Sequence, residues 1–312
     1  MKQLRTLTAI ALAGATLLAG CELVAPAPPG TAPAPRPTAP VTDPSAASKA
    51  LAVYYKSVQR GLLTRGLLRT DGGGPDTPFS ARDLSQNFLR IALFQEYQDI
   101  GGRLVARERA ARLHRWTKPV RLTLRFGRAT SEDIRNRDTT QTARYAARLA
   151  RITGHPISLS QAGGNFHILV LNEDERRAFG PELKRLVPGI SAASLNHLIN
   201  MPRDTYCAVF TTDTGNNSTP DQAVAVIRAE HPTLLRTACL HEEIAQGLGL
   251  PNDSPRARPS IFNDDEEFGL LTTHDELLLK MLYDPRLTPG MSEAEARPIV
   301  NQIAAELTGG AV

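Results

Sequence analysis

The chain has 312 residues, with 36 Lys and Arg against 32 Asp and Glu, 41% hydrophobic residues, three Cys and one Trp. Such a composition excludes a disordered chain, a collagen-like repeat and a disulfide-dense small scaffold, and it supplies apolar material for one or two folded domains. The formal charge of +4 is too small to argue for nucleic acid, so no nucleic-acid partner is expected.

Met1 to Gly20 carries Lys2 and Arg5 ahead of an apolar stretch from Leu7 to Leu18, the pattern of a secretory signal. It ends Leu18-Ala19-Gly20-Cys21, which resembles the bacterial lipobox and implies lipidation of Cys21 as the first mature residue. Residues 21–48 are rich in Pro and Ala, with eight prolines after Glu22, and read as a semi-extended tether. With Cys21 acylated, Cys207 and Cys239 remain; an oxidising compartment favours one disulfide between them, the alternative being two buried free thiols. The expected organisation is a signal peptide over 1–20, lipidated Cys and linker over 21–48, a helix and linker over 49–78, and a main domain over 79–310.

Apolar residues at three-to-four spacing predict a helix from Ser45 to about Thr70, ended by Asp71-Gly72-Gly73-Gly74-Pro75, and a second from Asp83 to about Tyr97. The triple glycine lacks a following Lys-Ser/Thr and a preceding strand, so it is a turn and not a phosphate loop. Gly102 to Arg115 carries five arginines and reads as a solvated basic face, with anionic envelope polymer or lipid headgroups as the sharper alternative. Val120 to Phe126 alternates as a half-buried strand, and Ser131 to Thr153 is a helix closed by Gly154. Strands follow at Ile157–Ser160 and Phe166–Leu171, helices at Glu173–Leu186 and Ser191–Ile199, and strands at Thr205–Thr212 and Ala223–Ala229. This order predicts an α+β or mixed α/β domain.

A further helix is expected from a Thr233 cap through Leu248, with Gly249 reversing the chain. At 100° per residue, Leu240, Ile244 and Leu248 gather on one side and Glu242, Glu243 and Gln246 on another. His241 points about 100° from Glu242, and four residues on lies Ala245, so it reads as a structural histidine. The run from Asp264 to Glu267 reads as a solvated acidic loop, with a cation site as the alternative. The segment Glu242-Glu243-Ile244-Ala245-Gln246-Gly247-Leu248-Gly249-Leu250-Pro251-Asn252 resembles the metzincin zinc-peptidase motif H-E-x-x-H-x-x-G-x-x-H, with Glu243 at the general-base position. Ser260-Ile261-Phe262-Asn263 resembles the Met-turn of that clan with Phe262 in place of methionine, and Leu271-Thr272, Asp275 and Leu282-Tyr283 resemble its closing helix. The resemblance implies a zincin-like architecture of mixed sheet, long active-site helix and C-terminal helices.

All three histidine positions differ: Glu242, Gln246 and Asn252 stand there, with Asp253 able to replace Asn252. A catalytic zinc needs three protein ligands, usually imidazoles, and an open position for water. Oxygen donors suit calcium or magnesium better. The combined pattern from about Phe79 to Met291, most sharply at Cys239 to Asp265 and Leu271 to Met291, also resembles a family of bacterial lipoproteins and exported proteins catalogued as domain of unknown function 2927, which carries no activity over. The expectation is therefore a lipid-anchored, periplasm-facing envelope protein whose degenerate metzincin-like domain binds or scaffolds, without a cofactor, its partners being the membrane through the anchor and a peptide or envelope polymer. The alternative is a metallopeptidase in which Glu243 is the base and Glu242, Gln246 and Asn252 or Asp253 hold a divalent metal. Glu22, rather than Asp, after Cys21 favours the outer membrane.

Overall fold

The structure, a computed structural model, describes residues 43–309. The expected signal segment, the acylation site Cys21 and the linker as far as residue 42 lie outside the described residues. Among those described, no helix is long and apolar enough to cross a membrane.

Helix α1 spans Ala46–Thr64, and its Ser45 cap accepts the Ser48 N–H, so the helix begins inside the stretch expected to be tether. It stops six residues before the expected Thr70. Gly66 turns the chain at φ +75, and Leu68 and Arg69 then donate to the Glu266 and Glu267 carbonyls at 2.8 Å. Helix α2, Ala81–Ala92, carries a reciprocal Ser80/Asp83 cap. Its expected extension to Tyr97 is wrong: Phe94–Ile100 is strand β1, paired antiparallel with β2, Arg103–Ala110. Gly101 and Gly102, both at positive φ, supply the turn that L side chains resist.

The main sheet follows the expected strands closely: β3 Val120–Phe126, β4 Ile157–Leu159, β5 Phe166–Leu171, β6 Cys207–Thr212 and β7 Gln222–Arg228. Its order is β4-β3-β5-β7-β6, parallel except for β6. Between β3 and β4 runs α3, Glu132–Thr153, capped by Ser131 and closed by Gly154 at φ +67. The single helix expected over 173–186 is two, α4 Glu173–Ala178 and α5 Gly180–Leu186, because Gly180-Pro181 starts a new first turn where the missing proline N–H does no harm. Then come α6 Ala192–Ile199, α7 Thr233–Gly247, α8 Thr273–Leu282 and α9 Glu293–Thr308. Thr233 is not the cap of α7 but its first residue, after an extended Pro232 that offers no side-chain bond. C-terminal helices were expected only in kind, and the bounds of α9 come from the structure.

Strand β5 is buried throughout, as a central parallel strand covered on both faces must be. Its alternation divides the core. Phe166, Ile168 and Val170 meet Leu240, Ile244 and Leu248 of α7 on one face, and Leu169 and Leu171 meet Leu183, Leu195 and Leu198 of α5 and α6 on the other. Helix α1 joins this body: Tyr55 and Leu62 pack with Leu235 and Ala238 of α7, and Ser48 Oγ donates to the buried Glu230 carboxylate at 2.7 Å. The protein is thus a mixed α+β fold built on a mostly parallel five-stranded sheet.

Candidate functional site

The apolar side of α7 fixes its axis against the sheet, and small residues set how closely it approaches. A side chain on Gly247 would bring a Cβ within 2.6 Å of the Phe166 ring, and the Gly247 carbonyl accepts the Trp116 indole N–H at 2.8 Å. Gly249 reverses the chain at φ +131, where a Cβ would lie 2.2 Å from the His114 carbonyl oxygen. The reversal returns Asp253 to the helix, and Gln246 Nε2 donates to Asp253 Oδ1 at 3.1 Å. Cys207 and Cys239 form the disulfide, Cα atoms 5.9 Å apart, which ties edge strand β6 to α7.

Between β6, the β1–β2 hairpin, the end of α7 and the acidic loop lies a cavity of about 1100 Å³. Glu242, Glu243, Gln246 and Asp253 line it, facing Glu96 and Tyr97 of β1 and Asp264 and Glu266 of the loop. Glu243 is 3% exposed and its Oε2 has no hydrogen-bond partner among the described residues. Burial, and then the neighbouring carboxylates, hold Glu242, Glu243 and Asp253 far above the usual carboxylate range. Burial likewise pushes Glu96 and Glu266 up to about 7, with Asp264 adding repulsion to each. The floor of the cleft is therefore a set of crowded acids that stay protonated or need a cation.

Of the residues expected to form a metal set, Glu242, Gln246 and Asp253 come together, with Glu243 beside them. Asn252 turns away: it is 3% exposed, and its amide donates to the Arg90 carbonyl at 3.0 Å and to Glu108 Oε1 at 2.9 Å. The reversal at Gly249 presents the next residue instead. His241 has a structural place, stacked on Tyr145 at 3.9 Å and accepting the Leu271 N–H at Nδ1, and burial lowers it to about 3. Phe262 is fully buried. Behind it, the Asp275 carboxylate accepts from the Ser260 hydroxyl at 2.5 Å and from the Ile261 and Thr272 N–H groups at 3.0 Å, joining that loop to the start of α8.

Two expectations change here. The run Asp264–Glu267 is not simply solvated: Asp264, Asp265 and Glu266 line the cavity, and Glu267 pairs with Arg69 and Arg258. The hairpin residues Glu96 and Tyr97 were missed, although Gly101-Gly102 between Tyr97-Gln98-Asp99-Ile100 and Leu104-Val105 is a legible hairpin turn. Most of the basic run lies on β2, where Arg103, Arg107 and Arg109 are exposed, Arg109 also reaching the cavity.

Zinc does not fit this donor set. Among the described residues, the groups that converge within 4.8 Å are oxygens of Glu242 and Glu243 and the sulfur of Cys207. No imidazole is among them, and the sulfur is spent in the disulfide, so no thiolate is available. A family profile described as "Protein of unknown function (DUF2927)" matches residues 81–302, from the start of α2 into α9. No curated protein and no solved structure matches the chain.

Proposed function

The chain belongs to the DUF2927 family, which assigns no chemistry, and from the sequence and the site together we propose that it is a lipid-anchored envelope protein whose metzincin-like domain binds an extended peptide or envelope polymer in its cleft. Acylation of Cys21 and export rest on the lipobox resemblance. A mixed sheet with a polar-faced helix beneath its edge, followed by the buried Phe262 loop and α8, supports the likeness to a zincin.

One observation carries the binding reading: edge strand β6 runs along the same cavity as the acidic floor. Its outer backbone groups have no strand partner among the described residues. An extended segment can add to such an edge through main-chain hydrogen bonds. The loss of zinc-type ligands removes the metal-activated water that a general base at Glu243 would need.

A photo-crosslinking residue at Thr211, exposed on β6, tests this in the intact envelope. An adduct is expected that is absent when the same probe replaces Arg144 on the exposed side of α3; equal labelling at both positions refutes the reading. The second reading, a metallopeptidase, draws on the buried, unpaired Glu243 Oε2. Cleavage of a mixed peptide pool by the purified chain, abolished by Glu243→Ala without a fall in melting temperature, would replace the first by the second.

A further inference from the structure

We propose that the floor of the cleft is a site for a hard divalent cation, calcium by preference, with Glu242 and Glu243 as its ligands and the Asp253 and Glu96 carboxylates adding negative charge around it. The inference rests on the reading of the cleft as a binding site and adds the chemistry of what its floor holds.

Oxygens of Glu242 and Glu243 lie within 4.8 Å of each other. Two ligands each about 2.3–2.6 Å from one calcium ion are separated by at most about 5 Å, so the pair is spaced to share one. Asp253 and Glu96 line the same cavity from the loop after α7 and from the hairpin, outside the 4.8 Å group, and add to its negative potential. None of the four joins an ion pair among the described residues.

The independent sign of a ligand is Glu243 itself. A carboxylate 3% exposed, with one oxygen lacking any partner among the described residues, sits in an arrangement that costs stability unless something satisfies it. A cation does so; a neutral group accepting from nothing does not.

The donor chemistry selects the ion. Carboxylates, with the Gln246 amide oxygen left free while its nitrogen holds Asp253, form an all-oxygen shell, which suits calcium or magnesium. A carboxylate pair with further acids drawn from a loop and a hairpin suits calcium, with its variable coordination, more than magnesium, which requires near-octahedral geometry. The disulfide keeps the Cys207 sulfur from acting as a thiolate, which would favour zinc. Asn252 is not a ligand in this site, because its amide is committed to Arg90 and Glu108.

The test is calorimetric titration of the full chain in detergent micelles, stripped with EDTA, with CaCl2, MgCl2 and ZnCl2 in turn. One calcium ion per chain is expected, with a dissociation constant at or below about 1 mM, together with a raised melting temperature. Glu243→Gln and Glu242→Gln should each weaken calcium by about tenfold or more, and Asn252→Ala should leave it unchanged. In EDTA, Glu243→Gln should melt at or above the wild-type temperature, which separates a lost ligand from a lost fold.

No heat and no melting shift at about 5 mM calcium or magnesium would overturn the proposal, as would tighter stoichiometric binding of zinc or wild-type calcium affinity in both variants. Crosslinking at Thr211 repeated in EDTA distinguishes the two levels. Adducts without cation binding sink the cation site alone, whereas loss of both removes the cleft reading.

Discussion

At the scale of single residues, burial decides roles that residue type leaves open. Asp138 and Arg236 illustrate it: they pair at 2.6 Å with side chains 1% and 2% exposed, joining α3 to α7. Removing one partner strands the other charge, so Asp138→Ala is expected to cost about 3–5 kcal/mol in denaturant unfolding. Replacing both residues by apolar ones of similar volume should cost far less. Glu266 works in the opposite direction. Burial and then Asp264 and Asp265 raise its carboxyl from the ordinary 4.5 to about 7. The folded state therefore holds the proton more tightly than the unfolded one. Its contribution to stability is complete below about pH 4.5 and is lost as pH rises through about 7. Glu266→Gln should flatten the fall in melting temperature between pH 5 and pH 8, measured in EDTA. An unaltered fall would show that Glu266 does not titrate in this window.

At the scale of elements, the site depends on how α7 ends. The chain leaves the helix at φ +131 and passes so close to His114 that no Cβ fits. Gly249→Ala should destabilise the protein by about 2 kcal/mol or more, through backbone strain and a clash with main chain that cannot move aside. Because the same reversal delivers Asp253 to Gln246, the variant should also weaken whatever the cleft binds, which calorimetry on the refolded variant would register. The disulfide secures the other wall. It spans 32 residues between β6 and α7, and Cys207→Ala with Cys239→Ala should lower stability by about 2–4 kcal/mol in chemical unfolding. A loss near zero would mean that β6 is held by its pairing with β7 and by packing on α7 alone.

At the scale of the whole molecule, α1 is part of the domain and not an appendage of the tether. Ser48 bonds to Glu230, and Tyr55 OH donates to the Arg203 carbonyl at 2.8 Å while its ring meets His231 at 4.4 Å. Deleting residues 1–65 should therefore expose the α7 surface around Leu235 and Ala238 and lower the melting temperature below that of a chain beginning at residue 43. The strands β3 and β5, the helix α3 with its Ser131 and Gly154 ends, and the polar triplet on α7 were legible in the sequence, because alternation, 3.6-residue periodicity and capping are local properties. So was the absence of histidine at positions 242, 246 and 252. The Cys207–Cys239 pairing was one of two readings until the structure brought β6 against α7. Only tertiary structure decided that Asn252 turns toward Arg90 while Asp253 enters the cleft. It alone brought Glu96 and Glu266 from distant segments to the same acids. Spacing along a chain fixes which side chains share a face, but which faces meet, and at what charge density, depends on long-range packing that local pattern does not encode.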